Sequence, residues 1–157
     1  MSKVCWSTGA LRIFGADLEP DDITQLLGTA PTKSYRRGDP IYPPKNVKPR
    51  PVGAWILETD KEWKEGDRLN DGIRALLRSL PGDVTLWQDL ARRFDMDMYC
   101  GTYVTDTSPE FRLERDTLKM LADRDLQFEI CIYIDDDSIR AELETRPTSD
   151  TDHPRTK

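Results

Sequence analysis

Histidine is almost absent from this chain: the one histidine, His153, lies close to the C-terminal end. Histidine is the usual acid–base group near neutral pH and a common metal ligand. Its scarcity disfavours a Cys–His catalytic pair and a histidine-based metal site. The sequence also lacks the GxGxxG, P-loop and GxSxG patterns that mark nucleotide binding and hydrolase chemistry. We therefore expect a protein that is not an enzyme and that uses no cofactor or metal.

Cysteine is also scarce, with only Cys5, Cys100 and Cys131 and no CxxC pair. An odd number of isolated cysteines disfavours both a disulfide framework and a zinc site. Cysteines on apolar strands usually behave as small buried hydrophobes. The sequence therefore predicts reduced, structural thiols.

Long apolar runs are missing. No segment approaches the ~20 apolar residues that a membrane span needs, and the N-terminal residues show no signal-peptide pattern. We expect a cytoplasmic protein without a membrane partner.

Charge is plentiful but unevenly distributed along the chain. Charged residues make up 33% of the 157 residues, and the net charge is −6. Residues 28–53 hold six basic residues and one acid, which gives +5 and leaves −11 for the rest. Six of the eleven prolines also fall in this segment, so neither a helix nor a strand can continue through it. We call residues 28–53 the basic arm.

Alternation and helical spacing predict the remaining elements. An alternating strand ends at Gly15, and a helix begins at Pro20 and ends at Gly28. Further strands are predicted at 53–59, 98–104 and 128–135, and further helices at 69–80, 84–94 and 118–122. The expected fold class is α+β, with a mixed or antiparallel sheet of about four to five strands and helices packed mainly on one face. We expect one domain over residues 1–137 and a charged, disordered tail over 138–157.

The last predicted strand shows the clearest alternation in the chain. Phe128, Ile130 and Ile132 share one face, and Cys131 and Tyr133 share the other. The pattern predicts that Ile132 is buried.

The basic arm contains the first candidate binding residues, Tyr35, Arg36, Arg37 and Asp39. Neighbouring arginines beside a tyrosine can grip a phosphate or a carboxylate through paired hydrogen bonds. The alternative is internal, with the arm lying against the acidic body of the same chain. The sequence leaves both interpretations open.

The second candidate is an aromatic patch formed by Tyr99, Tyr103 and Tyr133, on the strand faces opposite the apolar ones. Tyrosine-rich surfaces are typical of protein interfaces. Coverage of the patch by the basic arm is an equally acceptable alternative. Trp55, on the strand that follows the arm, is included among the candidate binding residues.

Two acidic groups have interpretations other than chemistry. Asp95 and Asp97 at the start of a strand are explained as well by protection of a sheet edge as by a chemical role, and both interpretations stay open. The run 135–137 could hold a hard cation, but a solvated strand end is the favoured interpretation.

The order and spacing of several short motifs resemble the bacterial family known as domain of unknown function 4279. The motifs are Leu11-Arg12-Ile13-Phe14-Gly15, Leu18-Glu19-Pro20-Asp21-Asp22-Ile23-Thr24, Leu27-Gly28, Pro31-Thr32, Arg37-Gly38-Asp39, Gly53-Ala54-Trp55 and Ile132-Tyr133. The resemblance covers most of residues 10 to 135. It implies an α+β domain and brings no established activity. The family pattern usually carries an acid where this chain has Cys131.

These observations together favour a non-catalytic, bacterial protein-binding module, in its sharper form an immunity-type protein that neutralises a toxin by contact. The alternative is a domain that binds a small ligand or phosphate through the basic arm. Nucleic acid is disfavoured, because a segment of +5 on a body of −11 attracts a polyanion poorly. The expected partner is another protein, and the oligomeric state is open.

Overall fold

The computed structural model describes residues 4–41, 48–59, 63–64, 68–104 and 111–134. Six strands and four helices lie within these ranges. They run in the order β1 (Val4–Gly15), α1 (Pro20–Leu27), β2 (Lys33–Tyr35), β3 (Gly53–Glu58), β4 (Trp63–Lys64), α2 (Arg68–Arg78), α3 (Val84–Arg93), β5 (Asp95–Val104), α4 (Arg115–Ala122) and β6 (Gln127–Ile134).

The sheet is mixed and centres on β1. Its main path is β2-β3-β1-β5-β6, and the two-residue β4 pairs with the N-terminal part of β1. All pairs are antiparallel except β5 with β6, which run parallel and are connected through α4. A parallel pair needs such a crossover because a tight turn can only join antiparallel strands. The predicted α+β class is confirmed.

Local signals in the sequence fix α1. Pro20 occupies the first turn, and Asp21 and Asp22 follow it at the positive end of the helix dipole. Gly28 ends the helix in the left-handed region, at φ 68°, and its N–H donates to the carbonyl oxygen of Thr24 at 2.9 Å. Glycine adopts this conformation without the steric cost of a Cβ.

The four helices cover one face of the sheet, where the larger core lies. This core takes apolar side chains from all four helices and from β1, β3 and β5. Its members include Leu11, Ile13, Ile23, Leu27, Trp55, Ile73, Leu77, Trp87, Leu90, Met96, Met98, Cys100 and Leu121. Cys100 is buried there with a free thiol, as the sequence predicted.

The opposite face of the sheet has a smaller apolar cluster, to which the helices contribute no residue. Its buried members are Ala10, Phe14, Tyr35, Ala54 and Ile56. The polar residues of β1, β5 and β6 described below share this face, because side chains alternate between the two faces of a strand. We call it the open face, meaning only that none of the four described helices packs on it.

The prediction that Ile132 is buried is wrong. Ile132 is 45% exposed, and its neighbours on the same side of β6, Phe128 and Ile130, are only partly buried. The reason is topological: β6 is the last strand on the path, so the core covers it less completely than a central strand. The predicted tail, residues 138–157, lies outside the described residues, as do His153 and the acidic run 135–137.

Candidate functional site

A buried ion pair lies at the centre of the open face. Arg12 of β1 stands directly opposite Asp97 of β5 in the antiparallel register. Its Nε donates to Asp97 Oδ1 at 2.8 Å, and one terminal nitrogen donates to Asp97 Oδ2 at 2.7 Å. Arg12 is only 2% exposed. The pair is thus a two-point contact between a guanidinium and a carboxylate, the geometry that arginine is best suited to make.

The surroundings of Arg12 keep it charged. Burial by itself would lower the pKa of the guanidinium, but the hydrogen bond and the negative charge of Asp97 outweigh it, so the pKa lies above its ordinary value. Glu129 of β6 adds a second carboxylate, 3.7 Å from the guanidinium. The guanidinium carbon also lies 4.3 Å from the ring centroid of Tyr99. Arg12 therefore ties β1, β5 and β6 together.

Beside this ion pair, three tyrosines form a connected cluster, the tyrosine cluster of Tyr99, Tyr103 and Tyr133. Tyr103 and Tyr133 are opposite each other in the parallel register of β5 and β6. Their rings stack with centroids 4.7 Å apart and planes inclined by 15°. The hydroxyl oxygens of Tyr99 and Tyr133 lie 3.4 Å apart, within hydrogen-bond distance.

Gly101 provides the space that this packing needs. It lies between Tyr99 and Tyr103 on the same side of β5. A Cβ at this position would lie 3.6 Å from Cε2 of Tyr133 and 3.2 Å from the hydroxyl oxygen of Thr8. The ring of Tyr133 therefore lies close to the backbone at Gly101, and the tighter approach of an added Cβ would be to Thr8.

The pKa values of the Tyr99 and Tyr133 hydroxyls lie above the ordinary value for tyrosine. Burial raises the pKa of Tyr99, and the hydrogen bond with Tyr133 offsets this only in part. Burial also raises the pKa of Tyr133, reinforced by hydrogen bonds with Cys131 and Tyr99. Neutral phenols can donate and accept hydrogen bonds, but they are weak bases. The cluster is thus suited to binding through its rings and hydroxyls.

Among the residues that the structure describes, no group of three or more His, Cys, Asp or Glu side chains is placed to hold a metal ion. Asp97 is already engaged by Arg12.

The described part of the basic arm folds against its own chain. Arg36 donates to Glu19 Oε2 at 2.6 Å and to Asp21 Oδ2 at 3.1 Å, both at the start of α1. Hydrogen bonding to Glu19 is the main reason that the pKa of Arg36 is raised. The carboxylate of Asp39 accepts a hydrogen bond from the backbone N–H of Arg36 at 2.8 Å. The internal interpretation therefore describes Arg36 in this structure.

The rest of the described arm is arranged around Tyr35 and Arg50. Tyr35 is buried in the small cluster of the open face, and the guanidinium carbon of Arg50 lies 4.0 Å from its ring centroid. Backbone hydrogen bonds join Arg50 to Gly38 and Asp39. Arg37 is exposed. The arm thus places Tyr35, Arg36 and Asp39 together, while Arg37 faces solvent.

Trp55 lies in the core instead of on a binding surface. It is 0% exposed, and its indole N–H donates to the hydroxyl oxygen of Thr24 at 3.1 Å. This contact joins β3 to α1. With no exposed surface, Trp55 can act on a partner only through the position of its neighbours.

The sequence does not predict the ion pair. Edge protection, one of the two interpretations that the sequence leaves open for Asp97, is wrong, since β5 lies between β1 and β6 and is not an edge. The available signal was Arg12, a lone charge between Leu11 and Ile13 in an apolar strand. A buried charge requires a partner of opposite sign, and finding Asp97 needed the register of two strands 85 residues apart.

No helix in the described ranges is both long and apolar enough to span a membrane. The chain was compared with curated proteins and with solved structures, and neither comparison found a match. A comparison with protein families matched residues 7–135, which include the ion pair, the tyrosine cluster and the described part of the arm. The chain belongs to the family described as Domain of unknown function (DUF4279).

Proposed function

We propose that this domain is a non-catalytic protein-binding module of bacterial type and that it contacts its partner through the tyrosine cluster. The observation that carries the proposal is the stacked pair of Tyr103 and Tyr133. Both rings are partly exposed, on a face of the sheet to which the four described helices contribute no apolar packing. Tyrosine is enriched in protein interfaces because it combines a large apolar ring with a polar hydroxyl.

The rigidity of the cluster supports a binding role. Ordering a side chain at an interface costs free energy, and a side chain that is already ordered avoids much of this cost. Tyr133 is held by the Tyr103 ring on one side and by the Tyr99 hydroxyl. Tyr99 in turn lies against Arg12, which Asp97 holds in place. The partly exposed rings are therefore preorganised for contact.

The sharper form of the proposal is an immunity-type protein that neutralises a toxin by contact. Its support is the charge of the chain, which is −11 outside the basic arm. Such a charge accelerates association with a basic partner. This acceleration becomes smaller as the salt concentration increases, because salt screens the charges. The toxin of this proposal is therefore a basic protein.

The alternative, a small-ligand or phosphate site on the basic arm, has less support. Arg36 already binds Glu19 and Asp21, so an anion would have to displace two carboxylates. Arg37 is exposed, but a single arginine makes a weak phosphate site. The alternative stays a prediction, tested by whether phosphate raises the melting temperature.

Capture from a bacterial lysate, followed by titration of each captured protein, tests the proposal. Wild type is compared with the double variant Tyr103→Ala/Tyr133→Ala and with Leu118→Ala, which truncates a 49% exposed side chain on α4. We expect the double variant to weaken binding by at least about 2 kcal/mol, the loss typical of central interface tyrosines. Leu118→Ala should bind like wild type. Thermal unfolding of each variant establishes that its fold is retained.

Equal binding of a captured protein by wild type and double variant contradicts the use of the tyrosine cluster. A wild type that captures nothing specific contradicts the protein-binding function itself.

A further inference from the structure

β6 forms one edge of the sheet. It pairs with β5 along its whole length, from Gln127 to Ile134, without a register shift. Among the described residues, no strand pairs with its other side. Backbone groups along such an edge are a template for another strand.

The two edges of the sheet differ in how they resist such pairing. The opposite edge, β2, has three residues and begins with Lys33, and short edge strands with lysine discourage further pairing. β6 has eight residues, no lysine, no proline and no bulge, and Glu129 is its one charged residue. Ile132 adds an apolar side chain that is 45% exposed. Within the described strands, β6 is therefore the edge with fewer of these protective features.

The sequence that contains β6 and its flanking residues is strongly acidic. Residues 123–137 include six acids and one base, which gives a charge of −5. Asp125, just before the strand, is exposed and has a φ of 51°. Three consecutive aspartates follow Ile134 in the sequence. An apolar strand with acids on either side in the sequence complements an apolar segment with basic residues at its ends.

Resting on the protein-binding function above, we propose that β6 is the docking edge for an extended segment of the partner. The segment is apolar at alternate positions and carries lysine or arginine at its ends. Main-chain hydrogen bonds supply affinity in this mode of recognition, and the alternating side chains supply specificity. One set of partner side chains meets Ile130 and Ile132, and the other meets Tyr133, which belongs to the tyrosine cluster.

The test uses a defined probe, a synthetic peptide of alternating valine and threonine, about eight residues long, with lysines at both ends. A matched peptide carries glutamates at the ends. Titration with the full chain at low salt should show binding of the lysine peptide at least about tenfold tighter than the glutamate peptide. Hydrogen exchange measured residue by residue should show slower exchange of β6 amides in the complex.

Two pairs of variants distinguish binding at the β6 edge from a general effect of the protein's charge. Ile132→Lys places a charge on the edge and should weaken lysine-peptide binding about tenfold or more. Leu26→Lys adds the same charge at a 44% exposed position on α1 and should bind like wild type. Asp125→Asn, which keeps a residue tolerant of positive φ, should reduce the salt dependence of binding. Asp17→Asn removes an exposed acid after β1 and should leave the salt dependence of binding unchanged.

Each other result overturns the proposal in a distinct way. Equal binding of the lysine peptide by Ile132→Lys and Leu26→Lys means that the peptide does not bind at the β6 edge. Slow β6 exchange in the free protein that the peptide does not change means that the chain covers its own edge. Concentration-dependent dimerisation abolished by Ile132→Lys assigns the edge to a second copy. If a captured partner binds Tyr103→Ala/Tyr133→Ala more weakly than wild type but binds Ile132→Lys as tightly as wild type, the result supports the proposed function and contradicts docking at the β6 edge.

Discussion

Arg12 and Asp97 face each other across two strands and form two hydrogen bonds, of 2.8 and 2.7 Å, in the interior of the protein. A buried pair is strongly destabilised when one partner is removed, because the other charge is left without compensation. Replacement of both partners by apolar residues often restores the loss.

We therefore expect Asp97→Ala to lower the free energy of unfolding by about 3–5 kcal/mol. The double variant Arg12→Met/Asp97→Leu should recover most of this loss. Denaturant unfolding measures both. Asp89→Ala, which breaks an exposed pair with Arg92 on α3, is the matched control and should change stability little. A loss for Asp97→Ala as small as for the control would contradict the structural role of the buried pair.

Two isoleucines on strands should respond very differently to truncation. Ile13 is 0% exposed and Ile132 is 45% exposed. Ile13→Ala should cost about 2–5 kcal/mol, since it removes buried methyl groups and leaves a cavity. Ile132→Ala should cost less than about 1 kcal/mol, in keeping with a partly exposed position. Equal losses in denaturant unfolding would show that β6 is covered as fully as β1.

Replacement of the two arm arginines should have different effects on the melting temperature. Arg36→Ala removes the ion pairs with Glu19 and Asp21 and should lower the melting temperature slightly, by less at high salt. Arg37→Ala, an exposed neighbour, should leave it unchanged. Partner binding should survive both changes if the tyrosine cluster is the contact surface. Loss of partner binding in Arg37→Ala with an unchanged melting temperature would show that the partner binds the basic arm.

Stability should fall at alkaline pH. Burial raises the pKa of the Cys100 thiol from 9.0 to about 12, and burial raises the pKa values of Tyr99 and Tyr133. The folded state therefore holds these protons more tightly than the unfolded state. The contribution is fully present below the unfolded pKa and is lost as pH rises through the folded pKa.

For Cys100 this window runs from pH 9 to about 12. Urea unfolding at a series of pH values should show a decline, and one proton contributes up to about 1.4 kcal/mol per pH unit. Cys100→Ala should show a shallower decline over the same window. Identical slopes for wild type and variant would show that the thiol does not contribute.

The sequence by itself determined the parts of this protein that depend on local patterns. The α1 helix follows from Pro20, the two aspartates after it and Gly28, because capping and dihedral preferences act within one turn. The faces of β3 follow from alternation, which places Trp55 and Leu57 on the same side of the strand, toward the larger core. The α+β class follows from the succession of such segments, and the family from their order and spacing.

Only the tertiary structure decided which strands are central and which lie at an edge. Alternation is clearer in β6 than in β1, yet Ile132 is exposed and Ile13 is buried, because burial depends on neighbours that are distant in sequence. The same holds for the site. The tyrosines were visible in the sequence, but the pairing of Arg12 with Asp97 and the stack of Tyr103 on Tyr133 depend on strand registers, which bring together residues far apart along the chain.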